Sequence, residues 1–312
     1  MRRTSPTVTT LVPDRLDDAL SALADDPGLT VLAGGTDLMV EVNYGHRRPD
    51  GVLSLRRLAE LRGWHTVPGD GDPVEPGVVV LGAATTYTTL LEPELAALLP
   101  ALAQAARTVG SPQIRNTGTI GGNLATASPA GDTLPVLAAH GASVELASTA
   151  GRRTVAVTDF LTGPKRTALR PGELITAVRV PLVPGPAEFL KIGVRNAMVI
   201  AVANCALVVD SGRRTVRCAL GSVGPVPMQD PEAEAWAAAR LDWAGGAACD
   251  PTVAAEFGAR MAAASRPIDD HRATADYRRH AVGVLARRAL LRAWPGPAPA
   301  AHGHGGAGTE AA

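Results

Sequence analysis

Residues 14–25, DRLDDALSALAD, put Leu16, Ala19, Leu20 and Leu23 on one face of a 3.6-residue helix and acids on the other. The DPG that follows stops this helix, and LTVLA reads as a short strand. Gly34-Gly35 then turns the chain sharply, and Leu38 to Val40 start a second helix. A polar stretch rich in proline and glycine (residues 62–77) precedes a second apolar strand, VVVLGA. TTYTTLLE predicts the opening of a helix capped by Thr85 or Thr86. ELAALLPALAQAARTV continues it, with Pro100 dividing or kinking the segment.

Residues 110–135, GSPQIRNTGTIGGNLATASPAGDTLP, read as a long irregular stretch, which a compact domain rarely carries without a function for it. ASVELAS, RRTVAVTDF and ELITAVRVPL follow as strands, the last ending at Pro181. PLVPGPAEF marks a domain boundary near residue 185. Beyond it, AMVIAVANCALVVD and RTVRCALGSVG read as strands, the first with room for a helix. Helices are predicted in EAEAWAAARLDW, VAAEFGARMAAASR and ADYRRHAVGVLARRALLRAW, the last with Val282, Leu285, Ala289 and Ala293 on one side. This gives a domain over 1–184 in two subdomains split near 55–75, a domain over 185–293, and a Gly- and Pro-rich tail over 294–312 read as disordered.

Composition narrows the partners more than the fold. Thirty basic and thirty acidic residues cancel, which argues against nucleic acid as a partner. No stretch approaches the roughly 18 uninterrupted apolar residues of a membrane span. The N-terminus, MRRTSPTVTTLVPDR, has no apolar core of signal-peptide length, so a cytoplasmic location is expected. Cys205, Cys218 and Cys249 have no CxxC or Cys/His spacing. They are expected to be reduced, buried thiols, with neither an iron–sulfur cluster nor a metal in this chain.

The candidate chemistry lies in two glycine turns. Val31 to Leu38 is V-L-A-G-G-T-D-L, with Gly34-Gly35 followed by Thr36 and Asp37. Thr119 to Asp132 is TIGGNLATASPAGD, with Gly121-Gly122 followed by Asn123 and an acid further on. Paired glycines admit positive φ and let backbone N–H groups converge on an anion. Thr36, Thr119, Asn123 and Ser128 add neutral donors. There is no GxxxxGK[ST] and no GxGxxG opening a helix with an acid about 20 residues on, so neither a P-loop nor an ordinary Rossmann site is present. Beside a diphosphate, Asp37 and Asp132 must point elsewhere, toward sugar or ribityl hydroxyls or into a backbone cap. Asp37 reads equally well as a helix N-terminal acid.

Together, LAGGTDL (32–38), LGAATTYTTL (81–90), the 110–135 block, FLTGPKRTAL (160–169), ELITAVRVP (173–181), KIGVRNAMVIAV (191–202) and DYRRHAVGVLARRAL (276–290) resemble the FAD-binding subunit of the molybdenum hydroxylases, the xanthine dehydrogenase and carbon monoxide dehydrogenase family. The resemblance spans roughly residues 10–292, and the 110–135 block is its most specific part. It implies an α+β, vanillyl-alcohol-oxidase (PCMH-type) FAD-binding fold of two subdomains. A smaller α/β C-terminal domain of the carbon monoxide dehydrogenase flavoprotein type would follow.

The resemblance further implies FAD held by Val31, Leu32, Ala33, Gly34, Gly35, Thr36, Asp37 and Leu38; neither glycine turn contains a His, Cys or Tyr for covalent attachment, so the FAD is expected to be non-covalent. The second loop would add Thr119, Ile120, Gly121, Gly122, Asn123, Thr126, Ser128, Pro129 and Asp132. Val109, Ile175 and Lys191 match further flavin-contacting positions, with Lys191 expected at the pyrimidine edge of the ring. The implied role is electron transfer from an iron–sulfur small subunit and a molybdopterin large subunit through FAD to NAD, with xanthine or hypoxanthine as the favoured substrate of the complex. Carbon monoxide or aldehyde oxidation, a non-catalytic flavin carrier or assembly scaffold, and a stand-alone flavin oxidase stay open. The last would need its own acid–base group, and His46, His65, His140 and His271 form no recognisable constellation.

Overall fold

A computed structural model describes residues 8–70 and 77–296 as three lobes, each with its own sheet. In the N-terminal lobe β1 (Thr9–Leu11), β2 (Thr30–Leu32) and β3 (Gly51–Ser54) form a parallel sheet in the order β1-β3-β2. Helix α1 (Leu16–Asp25) buries Leu16, Ala19, Leu20 and Leu23, the four residues its period selects, against Leu53, Leu55, Leu58 and Leu61. Helix α2 (Leu38–Asn43) follows the first glycine turn and buries none of its side chains.

The second lobe is an antiparallel sheet in the order β4-β5-β10-β6-β7: β4 (Trp64–Pro68), β5 (Gly77–Gly82), β6 (Ser143–Ser148), β7 (Gly151–Ala156) and β10 (Leu174–Pro181). Central β10 is covered on both faces, and it reads as a nearly continuous apolar run for that reason. Pro100 divides the predicted helix into α3 (Pro93–Leu98) and α4 (Pro100–Thr108), each opening on a proline whose missing N–H costs nothing there.

Three predicted stretches of this lobe differ in the structure, and in the next lobe AMVIAV carries no strand before Ala203. TTYTTLLE forms only a 3₁₀ turn over Thr89–Leu91, with Thr86 Oγ1 accepting the Thr89 N–H, because its backbone is pinned laterally: Tyr87 N–H donates to Gly118 O and Ile120 N–H to Thr85 O. The 110–135 block is mostly short helix: α5 (Pro112–Thr117), α6 (Ile120–Thr126) and the start of α7 (Thr133–His140). Ser111 and Thr119 cap the first two with their hydroxyls. The strand RRTVAVTDF ends early in α8 (Val157–Phe160), which turns Val157 and Phe160 into the core, and a small hairpin, β8 (Leu161–Gly163) with β9 (Arg166–Thr167), follows.

The third lobe is an antiparallel meander of β11 (Ala187–Ile192), β12 (Ala203–Asp210) and β13 (Thr215–Gly221), followed by α9 (Pro231–Ala238), α10 (Pro251–Ala264) and α11 (Ala275–Ala293). Strand β11 begins inside the proline-rich break, where no strand is predicted. Period-2 alternation divides the sheet between two cores. Cys205, Leu207 and Val209 face α9–α11, while Ala206 and Val208, with Phe189 of β11, face α4 and α7 of the second lobe. On α11, Val282, Leu285, Ala289 and Ala293 are buried as its pattern predicts. Truncating Leu290, which is fully buried there, costs about 2–5 kcal/mol. The disordered reading of the tail falls, from residue 297 on, outside the described residues.

Candidate functional site

A cleft of about 680 Å³ opens where the lobes meet, well within the size of small-molecule sites (about 300–1,000 Å³). Its walls bring together most of the residues singled out in the sequence. Val31 to Leu38, Val109, Thr119, Gly121, Gly122, Asn123, Thr126, Ser128, Asp132 and Ile175 all line it. Ile120 does not: it is fully buried in the core beneath. Pro129 and Lys191 stand behind the wall, Lys191 in contact with lining residue Asp132.

The first turn is built for close approach. A Cβ on Gly34 would collide with the Thr117 carbonyl oxygen, so only glycine lets the two loops meet, and Gly35 has φ +72°. Among the described residues, the N–H groups of Gly34, Gly35, Thr36 and Asp37 donate to no protein acceptor. Four successive free donors lining a cleft form an anion-binding nest. Asp37 occupies the N-cap position of α2, but its carboxylate makes no capping hydrogen bond; its carbonyl accepts from Val40 and Glu41 instead.

The second turn works differently. The donors of its glycine pair are already spent on the protein: Gly121 N–H on Ala83 O and Gly122 N–H on Thr119 Oγ1. What this turn offers the cleft is side chains. Asn123 is fixed by accepting from the Thr133 hydroxyl at 2.5 Å, and Ser128 by accepting from Ala130 N–H. Asp132 is turned away from a cap and into a buried cluster. Lys191 Nζ lies 2.5 Å from its Oδ2, Thr108 Oγ1 donates to the same oxygen, and Asn204 Nδ2 donates to Oδ1 at 3.1 Å. Burial pushes the Asp132 carboxyl up, while the Lys191 ammonium, Asn204 and Thr108 pull it back.

Several residues of the site carried no sequence signal beyond the motifs that contain them. Arg115 clamps the turn before the second loop through the carbonyls of Val109 and Gly110. Lys165, in the left-handed region at φ +55°, reaches Glu41 at 2.6 Å on the cleft's rim. Asn204 is the one amide inside the apolar run ANCALVVD, and that isolation was the available clue. Tyr87 also lines the cleft, from a stretch read for its helical pattern and as part of the matching motif LGAATTYTTL, without itself being singled out.

The donor set fits a flavin dinucleotide. The nest suits a diphosphate, the amide and hydroxyls of the second turn suit a polyol, and Leu169, Ile175, Val199 and Ile200 supply an apolar wall for a flat ring. Among the described residues the histidines assemble nothing. His140 is buried and neutral, pushed down to about 4 by burial, with Nδ1 on Pro181 O, and His46, His65 and His271 are exposed. Among the described residues no group of His, Cys, Asp and Glu could hold a metal ion. No helix among them is long and apolar enough to cross a membrane. The three thiols are free and buried, as the sequence suggested.

Comparison with known proteins agrees with this chemistry. Residues 6–183 match the model of the FAD binding domain in molybdopterin dehydrogenase, and residues 188–293 that of the CO dehydrogenase flavoprotein C-terminal domain. The chain is 35% identical to a xanthine dehydrogenase FAD-binding subunit of Escherichia coli, over 70% of this chain and 75% of that one. It is 34% identical to the carbon monoxide dehydrogenase medium chain of Afipia carboxidovorans, over 84% and 88% of the two chains. Quinoline 2-oxidoreductase from Pseudomonas putida superposes with a TM-score of 0.81 at 26% identity, over 94% of this chain and 98% of its own.

Proposed function

We propose, for a chain that belongs to the FAD-binding subunits of the molybdenum hydroxylase family, that it carries electrons between an iron–sulfur small subunit and NAD within a xanthine dehydrogenase-type complex. The observation that carries the reading is the nest at Gly34 to Asp37 facing the neutral side chains of Asn123, Thr126 and Ser128 across one cleft. When bound, FAD supplies the redox chemistry itself, so the chain needs no general base of its own.

The protein's part is to bind, orient and tune. The free amides of residues 34–37 would hold the diphosphate without bringing a cation that would pair with Asp37. The Val109, Ile175 and Val199–Ile200 wall excludes water from one side of the ring. Paired with Asp132, Lys191 would set the local charge beside the flavin, at a position that the resemblance implies is flavin-contacting.

Xanthine or hypoxanthine as substrate of the complex is supported by the Escherichia coli relative. Carbon monoxide oxidation is the second reading, supported by the Afipia relative over a larger share of both chains. The molybdopterin large subunit would hold that substrate. An absorption spectrum of the purified chain, followed by an NADH–dye reductase assay, tests the proposal. Bound flavin with NADH oxidation supports it. A chain that stays colourless with FAD overturns it, and FAD without NADH oxidation favours a flavin carrier or a different acceptor.

A further inference from the structure

Tyr87 is 5% exposed, and what it exposes meets the cleft. Among the described residues its hydroxyl has no hydrogen-bond partner. Yet it is not among the sealed, unpartnered polar atoms of the interior, such as His140 Nε2 and Asn204 Oδ1. A buried tyrosine hydroxyl ordinarily finds an acceptor, because leaving it without one forfeits its hydration for nothing.

The surroundings define what that acceptor is. The ring packs beside Gly118, where a Cβ would come within 2.8 Å of Tyr87 Cε2, and Tyr87 N–H donates to Gly118 O. The same Thr117–Gly118 segment abuts Gly34, so the phenol stands next to the turn whose N–H groups are free. Burial, then the charges of Asp132 and Asp37, hold the phenol above its ordinary range, which keeps it a donor. Asp132 already accepts from Lys191, Thr108 and Asn204. A neutral donor beside two acids can serve an anionic ligand where a lysine would be captured by the carboxylates.

We propose that Tyr87 is a cofactor-binding residue, donating its phenolic hydrogen to an oxygen in the diphosphate–ribityl bridge of the dinucleotide. This rests on the reading of the cleft as an FAD site. Tyr87→Phe keeps the ring and removes only the donor. In the full apo chain, Kd for FAD, read by quenching of flavin fluorescence, is expected to rise about 10- to 100-fold, the worth of one hydrogen bond to a charged or polar oxygen. The melting temperature of the apo chain should stay unchanged.

ADP as competitor locates the acceptor. A parallel loss of ADP affinity places it on the diphosphate, and a loss confined to FAD places it on the ribityl chain. A second measurement needs no variant at Tyr87. The chain has three tyrosines, and Tyr44 and Tyr277 are exposed. In fluorotyrosine-labelled protein, FAD should shift the buried Tyr87 resonance and spare the other two. Unchanged FAD affinity in Tyr87→Phe, or an unmoved Tyr87 resonance in a chain that binds FAD, overturns the proposal. Absence of FAD binding by the unsubstituted chain overturns the reading beneath it instead.

Discussion

Lys191 of β11 places its ammonium 2.5 Å from the carboxylate of Asp132, joining the third lobe to the second turn of the cleft. Both side chains are almost fully buried, at 7% and 6% exposed. Strand alternation explains the arrangement: Lys191 and Phe189 share a face of β11, and Asn204, opposite Lys191 in the register, joins it from β12. The charge behind the proposed flavin is therefore a pair, and a lone cation is not what the ring would feel.

The pair should behave as a unit. Lys191→Met leaves Asp132 buried without its counter-ion, and Asp132→Asn does the reverse. Each is expected to destabilise by about 3–5 kcal/mol, with the double variant recovering a large part. The flavin midpoint potential should fall in Lys191→Met and rise in Asp132→Asn, each by on the order of 30 mV, which for two electrons is about 1.4 kcal/mol. Spectroelectrochemical titration of the three variants checks this, and an unmoved potential at full FAD content sinks the tuning role.

Gly34 and Gly45 separate space from backbone conformation. A Cβ on Gly34 enters the Thr117 carbonyl, whereas Gly45, at φ +73°, has open space around it. Gly34→Ala should push the two loops apart and weaken FAD by more than about tenfold. Gly45→Ala should cost about 1 kcal/mol of stability through its positive φ alone and leave FAD affinity intact. Flavin-to-protein ratios and thermal melts of both variants make the comparison.

Glu234 makes the third lobe sensitive to pH. Its Oε1 accepts the Cys218 N–H at 2.8 Å, yet burial outweighs this bond and the Arg217 charge and raises the carboxyl to about 7. An acid whose folded value lies above its unfolded one binds more protons when folded. Stability then falls as pH rises from about 4.5 to about 7, by about 1–3 kcal/mol, and stays low above that. Glu234→Gln keeps the acceptor and should flatten the slope. Thermal melts across this range that slope equally in both proteins would refute the assignment.

Cys205 and Cys218 sit on adjacent strands with their sulfurs 3.5 Å apart, both inaccessible to solvent. The Cys205 thiol and burial push Cys218 well above the ordinary thiol range, so Cys218 forms no ready thiolate. An aromatic disulfide reagent should find no fast-reacting thiol in the native chain and three after denaturation. Rapid modification of any native thiol would show that the third lobe opens.

Local chemistry was legible wherever one short segment determines it. The period of DRLDDALSALAD gave the buried face of α1, Pro100 gave the division between α3 and α4, and the paired glycines gave both turns, because sterics and helical spacing act over a few residues. The motif resemblance carried the α+β FAD-binding fold and the family.

The division of labour between the turns was not legible. Whether a backbone N–H is free depends on which acceptor the fold brings to it: Ala83 O and Thr119 Oγ1 take those of Gly121 and Gly122, while among the described residues nothing takes those of Gly34 to Asp37. The same limit hid α5 to α7 in a polar block, reduced TTYTTLLE to one 3₁₀ turn, and concealed the partner of Asp132. Sequence alone settled where the chain can bend and which faces are apolar. Only the tertiary structure decided which polar groups are already satisfied, since hydrogen bonds between remote segments leave no periodic trace in the chain.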